Sequence, residues 1–267
     1  MIKFLTAALV TMLPLAANAG GTDIALDPAV VAPAPVVEAT PNLTFRLGAG
    51  VSYAPSYFGS DSSEGSASGS LSFQFMRLGS KSFGSATGEP VYGFTPRGSF
   101  RVIGERSAAD HPELTGLADV PLSVEIGGGL GYTSRNFEAF ADVRYGAIGH
   151  NAFVGELGAD AVLHPSDRLT LKVGPRVVIG SNKFNDTYFG VTTATTTLAA
   201  YNPDSGVVSA GLQVAATYEL NDKWNLDGAL RFDQFQGDAK NSPIVTTGSN
   251  DQLRVTIGLS RLISLRF

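Results

Sequence analysis

From Leu43 onward, apolar and polar residues alternate with a period of two, which places them on opposite faces of extended strands. Leu43, Phe45, Leu47, Ala49, Val51 and Tyr53 oppose Thr44, Arg46, Gly48, Gly50 and Ser52. The last stretch, Leu253–Phe267, carries Leu253, Val255, Ile257, Leu259, Ile263, Leu265 and Phe267 in one phase, and only Arg261 and Leu262 break it. Similar runs cover Leu71–Phe75, Gly98–Glu105, Leu122–Tyr132, Phe137–Tyr145, Phe153–Leu163, Leu169–Ile179, Val208–Glu219 and Trp224–Asp233. Two weaker pieces lie near Ser82–Ala86 and Pro90–Thr95.

Connections near residues 78–80, 96–97, 133–136, 164–168 and 220–223 are tight, whereas 54–68, 106–120, 180–206 and 236–250 are long. Alternation of short and long connections is the habit of outer-membrane barrels, with periplasmic turns and extracellular loops. The fold class predicted is an all-β, transmembrane, antiparallel up-and-down β-barrel. It has about twelve strands, or about ten if the two weak pieces form a loop. Both termini then lie on the periplasmic side, and the final strand closes against the first. Trp224, Tyr132, Tyr218 and Tyr145 sit at strand ends, where amphipathic rings anchor at the interface.

The segment before the strands changes the picture from sheet to envelope. Lys3, an apolar stretch Phe4–Leu15 and Ala17-Asn18-Ala19 read as a cleaved signal peptide, residues 1–19. The apolar stretch is shorter than the about 20 residues a membrane helix needs. An exported chain without such a helix can span a membrane only as a closed barrel. Residues 20–41, with Pro28, Pro33, Pro35 and Pro41, form an extended periplasmic N-terminal segment, and the barrel occupies 42–267. The predicted localisation is therefore the cell outer membrane, among its lipids.

Composition then excludes several chemistries. There is no cysteine, so disulfides, thiolate metal sites and lipid attachment at a cysteine are absent. A net charge of −5 without a basic cluster argues against nucleic acid. His111, His150 and His164 fall in separate loops or turns, not spaced as metal ligands, and no nucleophile elbow or zinc-protease helix occurs. His150 is predicted at the outer rim, the place a barrel enzyme would hold its base, but no nucleophile can be assigned beside it. The expectation is no enzyme, no catalytic, cofactor-binding or metal residues, and no cofactor.

The polar face carries Arg46, Glu125, Glu138, Asp142, Arg144, Glu156, Asp160, Lys172, Arg176, Glu219, Asp227, Arg231, Asp233 and Arg254. Both signs are present, and in a narrow interior they should pair across strands. This favours a cross-linked, largely closed lumen over a small selective pore. Two aromatic echoes, Ser56-Tyr57-Phe58-Gly59 and Thr187-Tyr188-Phe189-Gly190-Val191, fall on the outer side. They either fold inward as a plug or cover the loop bases, and the second is the plainer expectation.

Several of these residues carry a resemblance. Gly48-Ala49-Gly50-Val51-Ser52-Tyr53-Ala54-Pro55, Tyr57, Gly59-Ser60-Asp61 and Tyr188-Phe189-Gly190-Val191 resemble the MltA-interacting protein (MipA)/OmpV family of outer-membrane proteins. So do Val208-Ser209-Ala210-Gly211-Leu212, Gly237-Asp238-Ala239, Ser242-Pro243-Ile244-Val245 and Gly248-Ser249-Asn250-Asp251-Gln252. The resemblance spans nearly the whole mature chain. It implies a scaffold, since the namesake brings a murein lytic transglycosylase together with a murein synthase, and it transfers no catalytic residues. The alternatives are a narrow porin or transporter for small solutes and a surface adhesin or antigen. Ile263, Leu265 and Phe267 resemble the C-terminal signal through which the barrel-assembly machinery receives its clients.

Overall fold

The computed structural model describes residues 41–195 and 197–267. The predicted signal peptide, residues 1–19, and all but the last residue of the Pro-rich segment lie outside them. The strands are β1 (Leu43–Pro55), β2 (Ser63–Leu78), β3 (Lys81–Gly84), β4 (Gly93–Ile103), β5 (Ser123–Thr133), β6 (Phe137–Ile148), β7 (Phe153–Ser166), β8 (Leu169–Gly180), β9 (Gly206–Glu219), β10 (Trp224–Phe235) and β11 (Asp251–Leu265). They form one antiparallel sheet of eleven strands in the order β3-β2-β1-β11-β10-β9-β8-β7-β6-β5-β4. Its middle is the predicted closure: β11 pairs with β1 without a register break, from Leu43↔Leu265 to Tyr53↔Val255.

The barrel class stands, and the strand count is corrected from about twelve to eleven. Pro90–Thr95 and Gly98–Glu105 are not two strands. Half of the first and most of the second belong to β4, which runs through Pro96 in register with Leu130. A proline missing its N–H is tolerated there because β4 is a sheet edge. The other weak piece is only the four-residue β3, too short to cross a bilayer, which takes about 9–11 residues. The first long loop is also shorter than expected. Residues 63–70 continue β2, pairing with β1 from Pro55↔Ser63 to Gly48↔Ser70. Their Ser and Gly content resembles a loop in composition, but the small residues stand opposite the large ones of β1, as in Gly65↔Tyr53 and Ala67↔Val51.

The molecule is inside out. Val51 and Leu130 are about 60% exposed on the outer face, while Glu125 is fully buried on the inner one. Outward aromatics gather at both strand ends. Phe94 packs on Tyr132 at 5.0 Å at one end, and Tyr145 on Phe153 at 4.9 Å at the other. An apolar band flanked by aromatic girdles is the surface a lipid bilayer selects. Arg261 breaks the apolar phase of β11 at one of these ends, opposite Trp224, where its guanidinium lies 5.4 Å from the ring centroid.

The two sheet edges, β2 with β3 on one side and β4 on the other, share no ladder. They meet through side chains instead: a Cβ added at Gly98 would fall 2.4 Å from the Phe73 ring. The wall is therefore nearly closed, with one seam.

Candidate functional site

The long loops do not stand out into solvent. The connection after β8 forms α1 (Asn182–Phe189), and the one after β10 forms α2 (Gly237–Asn241) and α3 (Pro243–Thr247), helices not foreseen in the sequence. Phe184, Tyr188 and Phe189 of α1 are buried with Val154, Val178, Val208 and Phe235 from the strand tops, and with Ala239 and Val245. Phe58 packs on Tyr188 edge-to-face at 5.0 Å and on Phe235 at 6.3 Å. A second cluster joins Tyr57, Leu114, Val191, Leu198 and Ile244. The aromatic echoes thus form a plug over the mouth rather than a cover for the loop bases.

Polar contacts fasten this lid. Ser242 Oγ donates to Phe189 O at 2.7 Å and accepts from Ile244 N at 3.2 Å, capping α3. Arg106 Nη1 donates to Tyr188 O at 2.9 Å, and burial lowers its basicity. Tyr57 Oη donates to Glu113 at 2.9 Å, and burial reinforced by that carboxylate holds the phenol above its ordinary range. Gly59 has φ +96°, a left-handed conformation. A Cβ there would meet Val245 at 3.0 Å, and its carbonyl accepts from Ser249 N at 2.7 Å.

Below the lid, one half of the lumen is filled with charge. Arg101 makes a two-pronged contact to Glu125, with Nη2–Oε1 2.6 Å and Nε–Oε2 2.8 Å. Arg144 Nε reaches the same carboxylate at 2.9 Å, and its Nη2 donates to Glu156 at 2.8 Å. Arg231 Nη1 completes Glu156 at 2.6 Å and its Nε pairs with Asp233 at 2.6 Å. Arg231 lies on β10 and Glu156 on β7, with β9 and β8 between them in the sheet, so this link crosses the lumen. A second brace lies nearer the tight turns. The inward Phe140 ring sits between Arg97 at 4.1 Å and Arg176 at 5.2 Å, and Arg176 pairs with Asp160 at 2.9 Å. Gly158 leaves room for it, since a Cβ there would fall 2.4 Å from Phe140.

Of the charges expected on this face, most are paired as predicted. Lys172 binds Glu138 at 2.6 Å, Arg97 approaches Asp142 at 3.2 Å, and Asp227 accepts from Thr217 at 2.9 Å and from the Ser260 hydroxyl. Glu219 lies at an exposed strand end. Arg97, Ser99 and Arg101 were missed as a lumen row. Their alternation with Pro96, Gly98, Phe100 and Val102 was the available signal, hidden by a break placed at residues 96–97. His150 is not a rim base. It is buried, its Nδ1 accepts from Ala152 N at 3.1 Å, and its Nε2 is left as donor to Glu125 at 3.1 Å. Neither ring nitrogen remains to take a proton from a nucleophile. Among the described residues, no cluster of acidic or histidine side chains could hold a metal.

The other half of the lumen, beside β1, β2, β9, β10 and β11, holds a cavity of about 720 Å³. Gly48, Gly50, Ser52, Ser66, Ser68 and Ser70 give it a smooth wall, and Arg101, Arg231, Arg254, Asp227 and Asp233 line its charged side. At the opposite end, the connection between β3 and β4 reaches the lumen mouth: a Cβ at Gly88 would lie 3.4 Å from Leu262 and 4.0 Å from Arg46.

A sheet wound into a lipid-facing wall, polar within and lidded by its long loops, defines an outer-membrane β-barrel protein. Within that class the chain belongs to the MltA-interacting protein MipA family, whose description matches residues 47–262. None of the curated proteins matches the chain in sequence. Similar solved structures include the NanC porin, 10% identical over 84% of this chain and 100% of that one, with a TM-score of 0.36. The CymD monoaromatic hydrocarbon channel is 9% identical over 86% and 90%, TM-score 0.36. The outer membrane protein OprG from Pseudomonas aeruginosa is 12% identical over 84% and 97%, TM-score 0.25. At these scores they say nothing about what this chain does.

Proposed function

We propose that this barrel is a membrane-seated interaction protein that brings a murein lytic transglycosylase together with a murein synthase, and not a solute channel. The observation that carries the reading is the lid. A buried apolar core over the outer mouth, above a cross-braced lumen, suits a rigid platform better than a conduit. Membership in a family described as MltA-interacting supports a hydrolase of that kind as one partner. The platform offered to the periplasm consists of the tight turns at residues 134–136, 167–168 and 220–223, together with the Pro-rich segment that precedes β1. In this reading the chain is exported by its signal peptide, cut after Ala19, and folded into the outer membrane by the barrel-assembly machinery.

The test is capture with defined components. The full mature barrel, immobilised in detergent, should retain a purified murein lytic transglycosylase, and the synthase should join that complex but not matrix without the barrel. Failure to retain either enzyme, with the Pro-rich segment intact and the barrel folded, would contradict the reading.

A further inference from the structure

Among the described residues two inner-face cations lie outside the bracing networks, Arg46, which donates to Lys223 O near the tight turns, and Arg254. Among the described residues Arg254 has no carboxylate within ion-pair distance, whereas Arg101, Arg144, Arg176 and Arg231 each have one. Its register partner across the β10–β11 ladder is Arg231. Arg231 is offset by Glu156 and Asp233, whereas Arg254 makes no such pair, so an anion on Arg254 would relieve the remaining repulsion between the two. Both guanidiniums line the lumen cavity, as does Arg101. The same lining holds the hydroxyls of Ser52, Ser66 and Ser68, which donate hydrogen bonds without adding charge, and the carboxylates of Asp227 and Asp233, each already engaged by wall residues.

The same cavity reaches the seam. Its lining includes Arg101 and Ile103 from the inner face of β4, and also Phe100 and Val102 from the outer face and Leu122 just before β5. Across the seam it is lined by Ala67 and Gly69 of β2. Residues 63–73 of β2 have no ladder partner on that side, so no ladder hydrogen bonds close the gap to β4. The opening lies toward the lidded end, above the contact between Phe73 and Gly98. An apolar side exit next to the Arg254 guanidinium is an amphipathic cleft facing the outer leaflet.

We infer that the cavity binds a single-chain amphiphile with an anionic headgroup. The headgroup sits between Arg254 and Arg231, and the alkyl chain passes out through the β2–β4 seam into lipid. The volume falls in the range of about 300–1,000 Å³ that accommodates small ligands. The lid prevents entry along the barrel axis but leaves this side route free. The site does not depend on the scaffold role and coexists with a non-conducting barrel.

Laurate is the probe, and native mass spectrometry of the full mature barrel in neutral detergent is the readout. One laurate should stay bound, whereas lauryl alcohol, which lacks the charge, and gluconate, which lacks the chain, should not. Arg254→Gln should lower laurate occupancy about tenfold, and Arg254→Lys should retain part of it. Gly69→Trp should lower it as strongly by filling the seam. Its backbone is not left-handed, and an added Cβ meets only Gly48 O at 3.7 Å, so the variant should fold. Heat-modifiable mobility identifies folded protein, and only folded variants are compared. No laurate on the wild type, equal retention of lauryl alcohol, or wild-type occupancy in folded Arg254→Gln or Gly69→Trp would overturn the inference. If Arg254→Gln fails to fold, Arg254→Lys with unchanged occupancy together with Gly69→Trp at wild-type occupancy would do the same.

Discussion

At the residue scale, the lumen is held by ions that are worth little as pairs and much as a set. Arg144 is buried and serves both Glu125 and Glu156. Arg144→Met removes one buried charge and one partner from each of two carboxylates, which keep Arg101 and Arg231, so it should cost about 1–3 kcal/mol in reversible urea unfolding. Lys172→Met breaks a pair that is partly exposed on both sides, and should cost no more than about 1 kcal/mol. Lid residues carry a pH dependence of known sign. Tyr57 and Tyr188 are held protonated mainly by burial, with Glu113 reinforcing Tyr57. A raised phenol stabilises fully below the unfolded tyrosine range near pH 10, and that stability is lost as pH climbs through the folded value. With Tyr201 also raised by burial, alkaline titration followed at the phenolate absorbance should show three late phenols in the wild type, and two in Tyr57→Phe. Most of the inward charges were legible because period two assigns a face to each. Their partners were not, since Arg231 meeting Glu156 depends on which strands stand opposite across the lumen.

At the element scale, the lid is a tertiary structure made from loops. Its helices are short, and their order comes from contacts to strand tops. Ser242 closes two of these contacts, so Ser242→Ala should loosen the lid by about 1–2 kcal/mol, seen as faster amide exchange in α3 and around Phe189. Gly59→Val should act more strongly through left-handed strain and collision with Val245. The sequence pointed to these residues without revealing their use. Several of the stretches that carry the family resemblance, Tyr57 with Gly59, Tyr188–Val191, Ala239, and Ser242–Val245, meet in the lid, while others such as Gly48–Pro55 and Val208–Leu212 lie in the wall. Alternation has no means of showing this, because a plug has no period. Strand edges were legible only in part. Pro96 was read as a break, whereas at a sheet edge it removes an N–H that nothing needed.

At the scale of the whole molecule, the barrel is asymmetric. The half built on β4–β8 is filled by guanidinium–carboxylate braces and the Phe140 sandwich. The half built on β9–β11 with β1 and β2 is thin-walled, and encloses the cavity. The lid and the connection carrying Gly88 stand at its two ends. This arrangement predicts that axial conduction is lost through loop packing, not through a narrow wall. The most direct measurement is single-channel recording in planar bilayers, with the wild type beside a variant whose residues 182–203 are replaced by a short Gly-Ser linker. The wild type should give no steady conductance and the lidless barrel should give stable openings; steady ion-selective steps from the intact wild type would contradict a closed barrel.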